Sequence, residues 1–213
     1  MTTNNLWSYY AGAEVTYGFK TGETKWTDPK VVEGVKKHQE WVEKGYFKKG
    51  ELGFEYADMR NQIISGEAMM MMDGSWANSV FRDPAQAGDM VGKIGYFNLP
   101  PVNEGDPVIV MQDANNGYGF SASVAEDPRK LQAVKEFIKN MWTDEMQLRG
   151  LKEDGVLPAM KMDLATMNST SDDPLMQDIF KGVSEIKYSF PAFDALVQAD
   201  VNTALSMGIQ QVI

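Results

Sequence analysis

The chain has 213 residues, of which 43% are hydrophobic and 23% charged, and this balance is typical of a globular protein rather than a disordered one. Its 20 Lys and Arg residues stand against 30 Asp and Glu residues, and the net charge of −10 disfavours binding to nucleic acid or to an anionic membrane surface. There is no cysteine and only one histidine, His38, which excludes disulfides and zinc–thiolate sites and disfavours His-based triads.

The first third of the chain predicts helices and one buried strand. Residues 6–27 combine an aromatic cluster with Gly- and Thr-rich turn material. Asp28 and Pro29 then predict the start of a helix, because Asp is favoured at the N-cap and Pro at the first helical position. A second helix is expected over residues 56–65. The run at residues 68–72 is short and continuously apolar, which predicts a fully buried strand.

The middle of the chain predicts two further strands and a long amphipathic helix. A short helical stretch is expected over residues 75–84, and strands are expected over residues 92–97 and 108–111. Asp127 and Pro128 repeat the pattern of a helix start. The helix that follows carries a predicted buried stripe of Leu131, Val134, Ile138 and Met141.

The last third predicts mainly helices. Thr143 caps the start of one helix, residues 161–173 predict a polar loop, and Asp173 with Pro174 predicts the start of another helix. A final helix is expected over residues 193–205, where apolar residues recur at helical spacing. Helices therefore dominate the prediction.

Two short motifs that are typical of cofactor or metal sites are better explained here as turns. Residues 117–122 match the glycine-rich dinucleotide fingerprint, but that chemistry needs a helix to begin inside the motif, and the helix signal comes only at Asp127. Residues 113–117 resemble the start of a calcium loop but are not followed by the Gly and Glu that such a loop requires. The sequence therefore predicts no cofactor and no metal ion.

Aromatic side chains carry the strongest functional signal among the individual residues. Trp76 follows the predicted buried strand and an Asp-Gly turn, so we expect it at a strand end, where ligand clefts of α/β proteins lie. Trp7, Tyr9 and Tyr10 cluster beside turn material. Aromatic faces next to carboxylates and amides suit sugar recognition, because a sugar ring has an apolar C–H face and a polar hydroxyl edge. Burial of the same aromatics in the core is the competing interpretation.

Six segments together resemble one known family. In chain order they are WTDPK at 26–30 with EKGY at 43–46, ISGEAM at 64–69 leading into DGSW at 73–76, IGYFNLPP at 94–101, NNGYGFSAS at 115–123, KLQAVKEFI at 130–138 with TDEMQ at 143–147, and GVLPA at 155–159. Their order resembles that in the extracellular solute-binding proteins of ABC importers, the family-1 sugar binders that include the maltose-binding protein.

The resemblance implies a helix-rich α/β fold, namely the C-terminal lobe of a type II periplasmic-binding-protein fold with most of the N-terminal lobe missing. Residues 1–112 and 164–213 would form that lobe, and residues 113–163 would be the segment that in relatives crosses back to the other lobe. The chain is therefore expected to be a fragment, without the signal peptide or any lipidated cysteine. With the other lobe absent, the apolar stripe of residues 131–141 would be exposed and would favour self-association.

The resemblance also implies a function without bond chemistry, so the protein is not expected to be an enzyme. The full-length protein would capture a carbohydrate, expected to be an oligosaccharide, outside the cytoplasm, in the periplasm or as a cell-surface lipoprotein. It would deliver this ligand to the permease subunits of an ABC importer, and its membrane contact would be an anchor absent from this chain. The ligand-binding residues carried over from the family are Trp76, Asp113, Asn115, Asn116, Trp7, Tyr10 and Asp194.

Two other functions stay open on the sequence alone. A carbohydrate-active hydrolase would use paired carboxylates, whose separation is set by the fold rather than by spacing along the chain. A pure interaction module would bind no sugar at all.

Overall fold

Helices dominate the computed structural model, which describes residues 2–48, 50, 54–112 and 117–212. In chain order, the α-helices of this described part are α1 (Thr2–Ala11), α2 (Val15–Thr21), α3 (Pro29–Glu43), α4 (Tyr56–Ile64), α5 (Asn78–Arg82), α6 (Pro84–Ala87), α7 (Pro128–Met141), α8 (Asp144–Asp154), α9 (Leu164–Thr170), α10 (Pro174–Glu185) and α11 (Ala199–Val212). The strands of the same residues are β1 (Ile109–Met111) and β2 (Tyr188–Phe190). The expected helix-rich α/β class is confirmed.

The chain divides into two compact units. The first unit comprises residues 1–72, 98–113 and 185–213, and the second unit comprises residues 73–97 and 114–184. The assignment of residues to the lobes of a longer protein, made from the sequence, concerns a different division and stays a prediction.

The sheet of the first unit is a short parallel pair. Ile109 of β1 lies opposite Tyr188 of β2, and Met111 lies opposite Phe190. The ladder continues beyond the strand ends, since the backbone N–H of Gln112 donates to the carbonyl of Phe190 at 2.9 Å. β1 confirms the strand predicted at residues 108–111. β2 was missed, because a three-residue strand carries too little periodicity to be recognised.

The Asp-Pro pairs mark helix starts as predicted. Helix α3 begins at Pro29 after Asp28, and α7 begins at Pro128 after Asp127. The Asp127 carboxylate accepts hydrogen bonds from the backbone N–H groups of the first turn of α7, so it satisfies donors that have no partner within the helix. The same capping occurs at α10, where the Asp173 carboxylate accepts from the N–H of Leu175 at 2.9 Å.

Two predicted strands are wrong. Residues 68–72 form no strand, and instead of being buried, Met69 and Met70 are 95% and 72% exposed. Residues 92–97 also form no strand, and the backbone N–H of Tyr96 donates to the Asp178 carboxylate at 3.3 Å instead of to a neighbouring strand. A short apolar run shows only that a strand is compatible with the residues, whereas strand formation requires a pairing partner from elsewhere in the chain.

Three segments contain helices whose positions differ from those predicted from the sequence. Residues 6–27 hold most of α1 and all of α2, and residues 161–173 hold α9 in place of a loop. The last helix begins at Ala199, after a 3-10 turn at Phe193–Ala195. Polar helices such as α9 lack a long apolar stripe, so the signal that remains is the cap: the Asp163 carboxylate accepts from the N–H of Thr166 at 2.8 Å.

The core of the first unit forms where α1 lies against α3. Trp7, Val15, Val31 and Phe193 make up a buried cluster. Gly34 of α3 is the point of closest approach, because a Cβ at this position would lie 2.5 Å from the Cα of Trp7. The absence of a side chain at Gly34 is therefore what permits the two helices to pack backbone to backbone.

His38 gives the α1–α3 contact a pH dependence that can be measured. Its ring is buried, its Nδ1 lies 2.9 Å from Oγ1 of Thr3, and burial lowers the pKa of the imidazole below its ordinary value of 6.5. As the pH falls, the unfolded chain therefore takes up this proton before the folded one. The contribution of neutral His38 to the free energy of unfolding is fully present above about pH 6.5 and is lost as the pH falls from there through the folded-state pKa.

Urea unfolding between about pH 7.5 and about pH 5.5 tests this expectation, since carboxylates titrate mainly below that window. The wild-type midpoint is expected to decrease with falling pH, and the His38→Gln variant, which keeps a polar group without titrating, is expected to lose most of that slope. An equal slope in both proteins would contradict the role of His38.

In the second unit, Arg82 ties three helix ends together. Its Nε donates to the Asp173 carboxylate at 2.9 Å, and its Nη2 donates to the Lys152 carbonyl at 3.0 Å. We expect Arg82→Ala to lower the free energy of unfolding by about 1 kcal/mol, because a partly buried charge-assisted hydrogen bond is lost. Arg149→Ala is the matched control, since Arg149 pairs with Glu153 on an exposed helix face, where such pairs contribute about 0.5 kcal/mol or less. Urea titration of both variants checks the difference, and equal losses would contradict it.

Candidate functional site

Trp76 lies on a short, anchored turn and is about half exposed. It lies in the 3-10 turn Ser75–Ala77 directly before α5, and 53% of the residue is exposed. The residue after the turn, Asn78, is buried and its Nδ2 donates to the carbonyl of Gly155 at 2.9 Å. This hydrogen bond ties the end of the turn to Gly155 of the second unit, and part of the indole remains accessible.

Gly74 leaves room for the Trp76 ring to lie against the backbone. A Cβ at Gly74 would lie 2.2 Å from the nearest carbon of the indole, so any side chain there would overlap the ring. The backbone N–H of Gly74 donates a hydrogen bond to the Asp73 carboxylate at 2.8 Å. The Gly-Ser-Trp order therefore places the indole against bare backbone, which suits a flat surface for stacking.

Trp7 lies in the core of the first unit. Only 1% of this residue is exposed, and its Nε1 donates to the Thr16 hydroxyl at 3.3 Å. Its ring meets those of Phe19, Trp26 and Phe193 edge to face, with centroids 5.6–5.8 Å apart. Packing on these sides leaves no ring face for a ligand, so the competing interpretation of the aromatic cluster, burial in the core, describes Trp7.

The remaining candidate ligand-binding residues lie either in the first unit or outside the described residues. Tyr10 is half-buried on α1, and Asp194 is exposed in the turn Phe193–Ala195. The structure therefore places Tyr10 and Asp194 in the first unit and Trp76 in the second. The other three candidates, Asp113, Asn115 and Asn116, lie outside the described residues.

Exposed aromatics that the sequence reading did not single out also occur in both units. In the first unit, Trp26 stacks on Phe19 with centroids 3.7 Å apart and remains exposed on the outside of the core. In the second unit, Tyr118 and Phe120 each contact Phe137 of α7 edge to face, and all three are exposed. The Gly-Tyr-Gly-Phe sequence at 117–120 could have indicated these exposed rings, because the alternating glycines leave the aromatic rings without neighbouring side chains.

The carboxylates with shifted pKa values are arranged as caps and ion pairs. A hydrogen bond from Lys37 holds the pKa of Glu40 at about 2. The pKa of Asp83 is lowered by its hydrogen bond from Gln86, and that of Asp163 by the backbone N–H of Thr166. A general acid for glycoside hydrolysis needs the opposite shift. Among the residues described, no group of three or more His, Asp and Glu side chains could hold a metal ion, and no helix is both long and apolar enough to cross a membrane.

A family comparison identifies the chain. Residues 1–148 match the model of the bacterial extracellular solute-binding proteins. The chain belongs to this family. The match covers the aromatic helix α1, the turn that carries Trp76 and all of α7, and it includes five of the six segments on which the sequence resemblance rested; the segment at 155–159 lies beyond it.

Solved structures agree with this assignment of the solute-binding chain. A chitin oligosaccharide binding protein is 38% identical with a TM-score of 0.81, and the match covers 100% of this chain and 51% of that one. A structure from work on xylan utilization by the thermophilic bacterium Caldanaerobius polysaccharolyticus is 22% identical with a TM-score of 0.74, covering 99% and 53%. A Streptococcus pneumoniae solute-binding protein in complex with the blood group A-trisaccharide is 16% identical with a TM-score of 0.63, covering 99% and 52%.

The solute-binding chain spans about half the length of the structures that it matches. The two more distant structures share its fold, and the 38% identical one also shares a large part of its sequence. No curated protein matched the chain.

Proposed function

We propose that this chain is part of a binding protein that captures an oligosaccharide outside the cytoplasm and delivers it to the permease subunits of an ABC importer. The observation that carries the proposal is the half-exposed indole of Trp76, on a turn anchored through Asn78, in a solute-binding chain that is 38% identical to a chitin oligosaccharide binding protein. Extracytoplasmic location follows from the family, and either a periplasmic protein or a surface lipoprotein is compatible with it.

The proposed contacts follow the two surfaces of a sugar ring. Trp76 offers an aromatic face for the apolar C–H side of a pyranose. In the first unit, the half-buried phenol of Tyr10 is a separate aromatic candidate. Asp194 is exposed, and its carboxylate would accept hydrogen bonds from sugar hydroxyl groups, as would Asp113 and the amides of Asn115 and Asn116. Trp7 would act through packing, by supporting the aromatic cluster beneath Trp26.

The proposed mechanism is closure of two lobes around the ligand. Closure is a shift between two conformations, driven by contacts that the ligand makes only in the closed form, and it changes no covalent bond. A single lobe offers one stacking surface and a few half-exposed hydrogen bonds of roughly 0.5–1.5 kcal/mol each. These contributions barely reach the ~4 kcal/mol of a millimolar dissociation constant.

Titration calorimetry on the full-length protein and on this 213-residue chain tests the proposal. With neutral oligosaccharides derived from chitin and xylan as probes, we expect tight binding by the full-length protein and binding at about millimolar strength or weaker by the chain alone. A full-length protein that binds none of the sugars would support an interaction module instead. Product released in excess over protein would support a hydrolase.

We also expect the isolated chain to self-associate through α7. None of the residues of this helix is buried, and Phe137 and Ile138 are exposed apolar side chains on it. A partly exposed apolar helix face favours contact with another such face. Sedimentation velocity at rising protein concentration should show dimers or larger species, and Ile138→Lys should shift the distribution towards monomer. A monomer at all concentrations would contradict this expectation.

A further inference from the structure

The Asn78 side chain joins the turn that carries Trp76 to the C-terminal end of α8. Asn78 is buried, and its Nδ2 donates to the carbonyl of Gly155 at 2.9 Å, a residue 77 positions further along the chain. The backbone N–H of Asn78 donates to the carbonyl of Ser75 and so closes the 3-10 turn. One residue therefore fixes the turn internally through its main chain and fixes it to α8 through its side chain.

The carbonyl that accepts this hydrogen bond belongs to a well-defined helix end. Gly155 has the left-handed conformation, and the N–H groups of Gly155 and Val156 donate back to carbonyls of α8 at 3.1 and 3.3 Å. A Cβ at Gly155 would lie 2.9 Å from the Cβ of Asn78 and 3.2 Å from the Sδ of Met176. The absence of a side chain at Gly155 therefore permits the close approach of this helix end to the Asn78 amide.

We propose that Asn78 and Gly155 form a positioning pair that sets the place of the Trp76 indole and thereby determines sugar affinity without touching the ligand. The inference rests on the proposed function, in which Trp76 supplies the stacking face. Trp76 lies two residues before Asn78, and its carbonyl accepts a hydrogen bond from Oγ of Ser79 at 3.3 Å. With the bond to the Ser75 carbonyl, the main chain is held on both sides of Trp76.

The position of the ring matters because stacking is a short-range attraction. A gap of about 0.5–1 Å between two surfaces already forfeits roughly a quarter to a half of the contact energy. Small displacements of the turn are therefore enough to weaken a sugar that stacks on Trp76, even where the ring itself is intact.

Burial of the pair transmits a change at Asn78 to the turn. Both Asn78 and Gly155 are buried, and the Asn78 amide also lies 3.7 Å from the sulfur of the buried Met176. Without the amide, the carbonyl of Gly155 loses this donor, and a buried polar group without a donor is unfavourable. The structure relaxes by moving the turn relative to α8, and Trp76 moves with the turn.

A double-mutant cycle in the full-length protein tests the proposal. Asn78→Leu keeps a side chain of similar size and removes the donor, and Asn78→Ser removes the amide without adding bulk, so that the test does not depend on one variant folding. By titration calorimetry with the tightest-binding sugar, we expect each to weaken binding about fivefold. In the Trp76→Ala background, the same changes should alter the affinity by less than about twofold, because the positioned ring is gone. Equal losses in both backgrounds, or no loss in the wild-type background, would overturn the proposal.

Thr3→Val is the control for lowered stability alone. Thr3 is buried in the first unit, where its Oγ1 lies 2.9 Å from Nδ1 of His38, so this variant also removes one buried hydrogen bond. We expect it to lower the urea midpoint while leaving sugar affinity as in the wild type, and an affinity loss equal to that of Asn78→Ser would count against positioning.

The single substitutions separate this inference from the proposed function. If Trp76→Ala weakens binding and the Asn78 variants do not, the positioning pair is wrong and the proposed site stands. If Trp76→Ala leaves the affinity unchanged, the stacking role and the positioning pair both fail.

Discussion

Replacing Trp76 by alanine in the full-length protein is expected to weaken oligosaccharide binding at least about tenfold, which corresponds to about 1.4 kcal/mol. The exposed indole supplies the stacking face of the proposed site, and truncation removes that face without leaving a hole in the core. Titration calorimetry with the tightest-binding sugar measures the loss. Thermal unfolding should be nearly unchanged, because the anchoring contacts belong to Asn78 rather than to the ring.

Trp142→Ala is a matched control for this prediction. Trp142 lies in the same unit at the C-terminal end of α7 and is also 53% exposed, so the two variants remove equal areas of accessible indole. We expect Trp142→Ala to leave sugar affinity unchanged. Equal effects of the two substitutions, or none at Trp76, would show that the proposed site is misplaced.

Gly34→Ala is expected to lower the free energy of unfolding by about 3 kcal/mol, towards the upper end of the range for overpacking. The added Cβ would lie 2.5 Å from the Cα and 2.7 Å from the N of Trp7. These are backbone atoms, so the clash is relieved only by moving α1 away from α3 and opening the cluster around Trp7. The loss exceeds the ~1 kcal/mol that alanine otherwise gains over glycine in a helix.

Gly150→Ala provides the control, with the opposite sign. Gly150 lies within α8, and a Cβ there would meet no atom within 4 Å. This variant should therefore show the helix-propensity gain, up to about 1 kcal/mol. Urea unfolding monitored by circular dichroism measures both changes. A Gly34→Ala protein as stable as the wild type would mean that the helix pair does not pack as described.

Local sequence signals located many helix ends correctly. An Asp followed by Pro identified the starts of α3, α7 and α10, because the fixed φ of proline suits the first helical position and, at α7 and α10, the Asp carboxylate accepts from the first turn. Gly155 ends α8 in the left-handed conformation, φ 70°, which only glycine adopts without cost. The family resemblance was also readable, since six ordered segments match regardless of how the chain packs.

Strands and buried residues were harder to predict from the sequence, because both depend on partners that are distant in the chain. β1 pairs with β2 across nearly eighty residues, so β2 exists through its register with β1 rather than through its own three residues. The apolar run at residues 68–72 has the composition of a buried strand but forms none.

The two tryptophans of the predicted site show most clearly where sequence and tertiary structure each decide. By itself, the sequence determined that the chain is a helix-rich member of a solute-binding family and that an indole follows an Asp-Gly turn. Only the tertiary structure decided that Trp76 is exposed while Trp7 is enclosed by Phe19, Trp26 and Phe193. The physical reason is that an indole gains free energy from burial wherever apolar neighbours converge, and convergence is set by helix packing rather than by the adjacent residues.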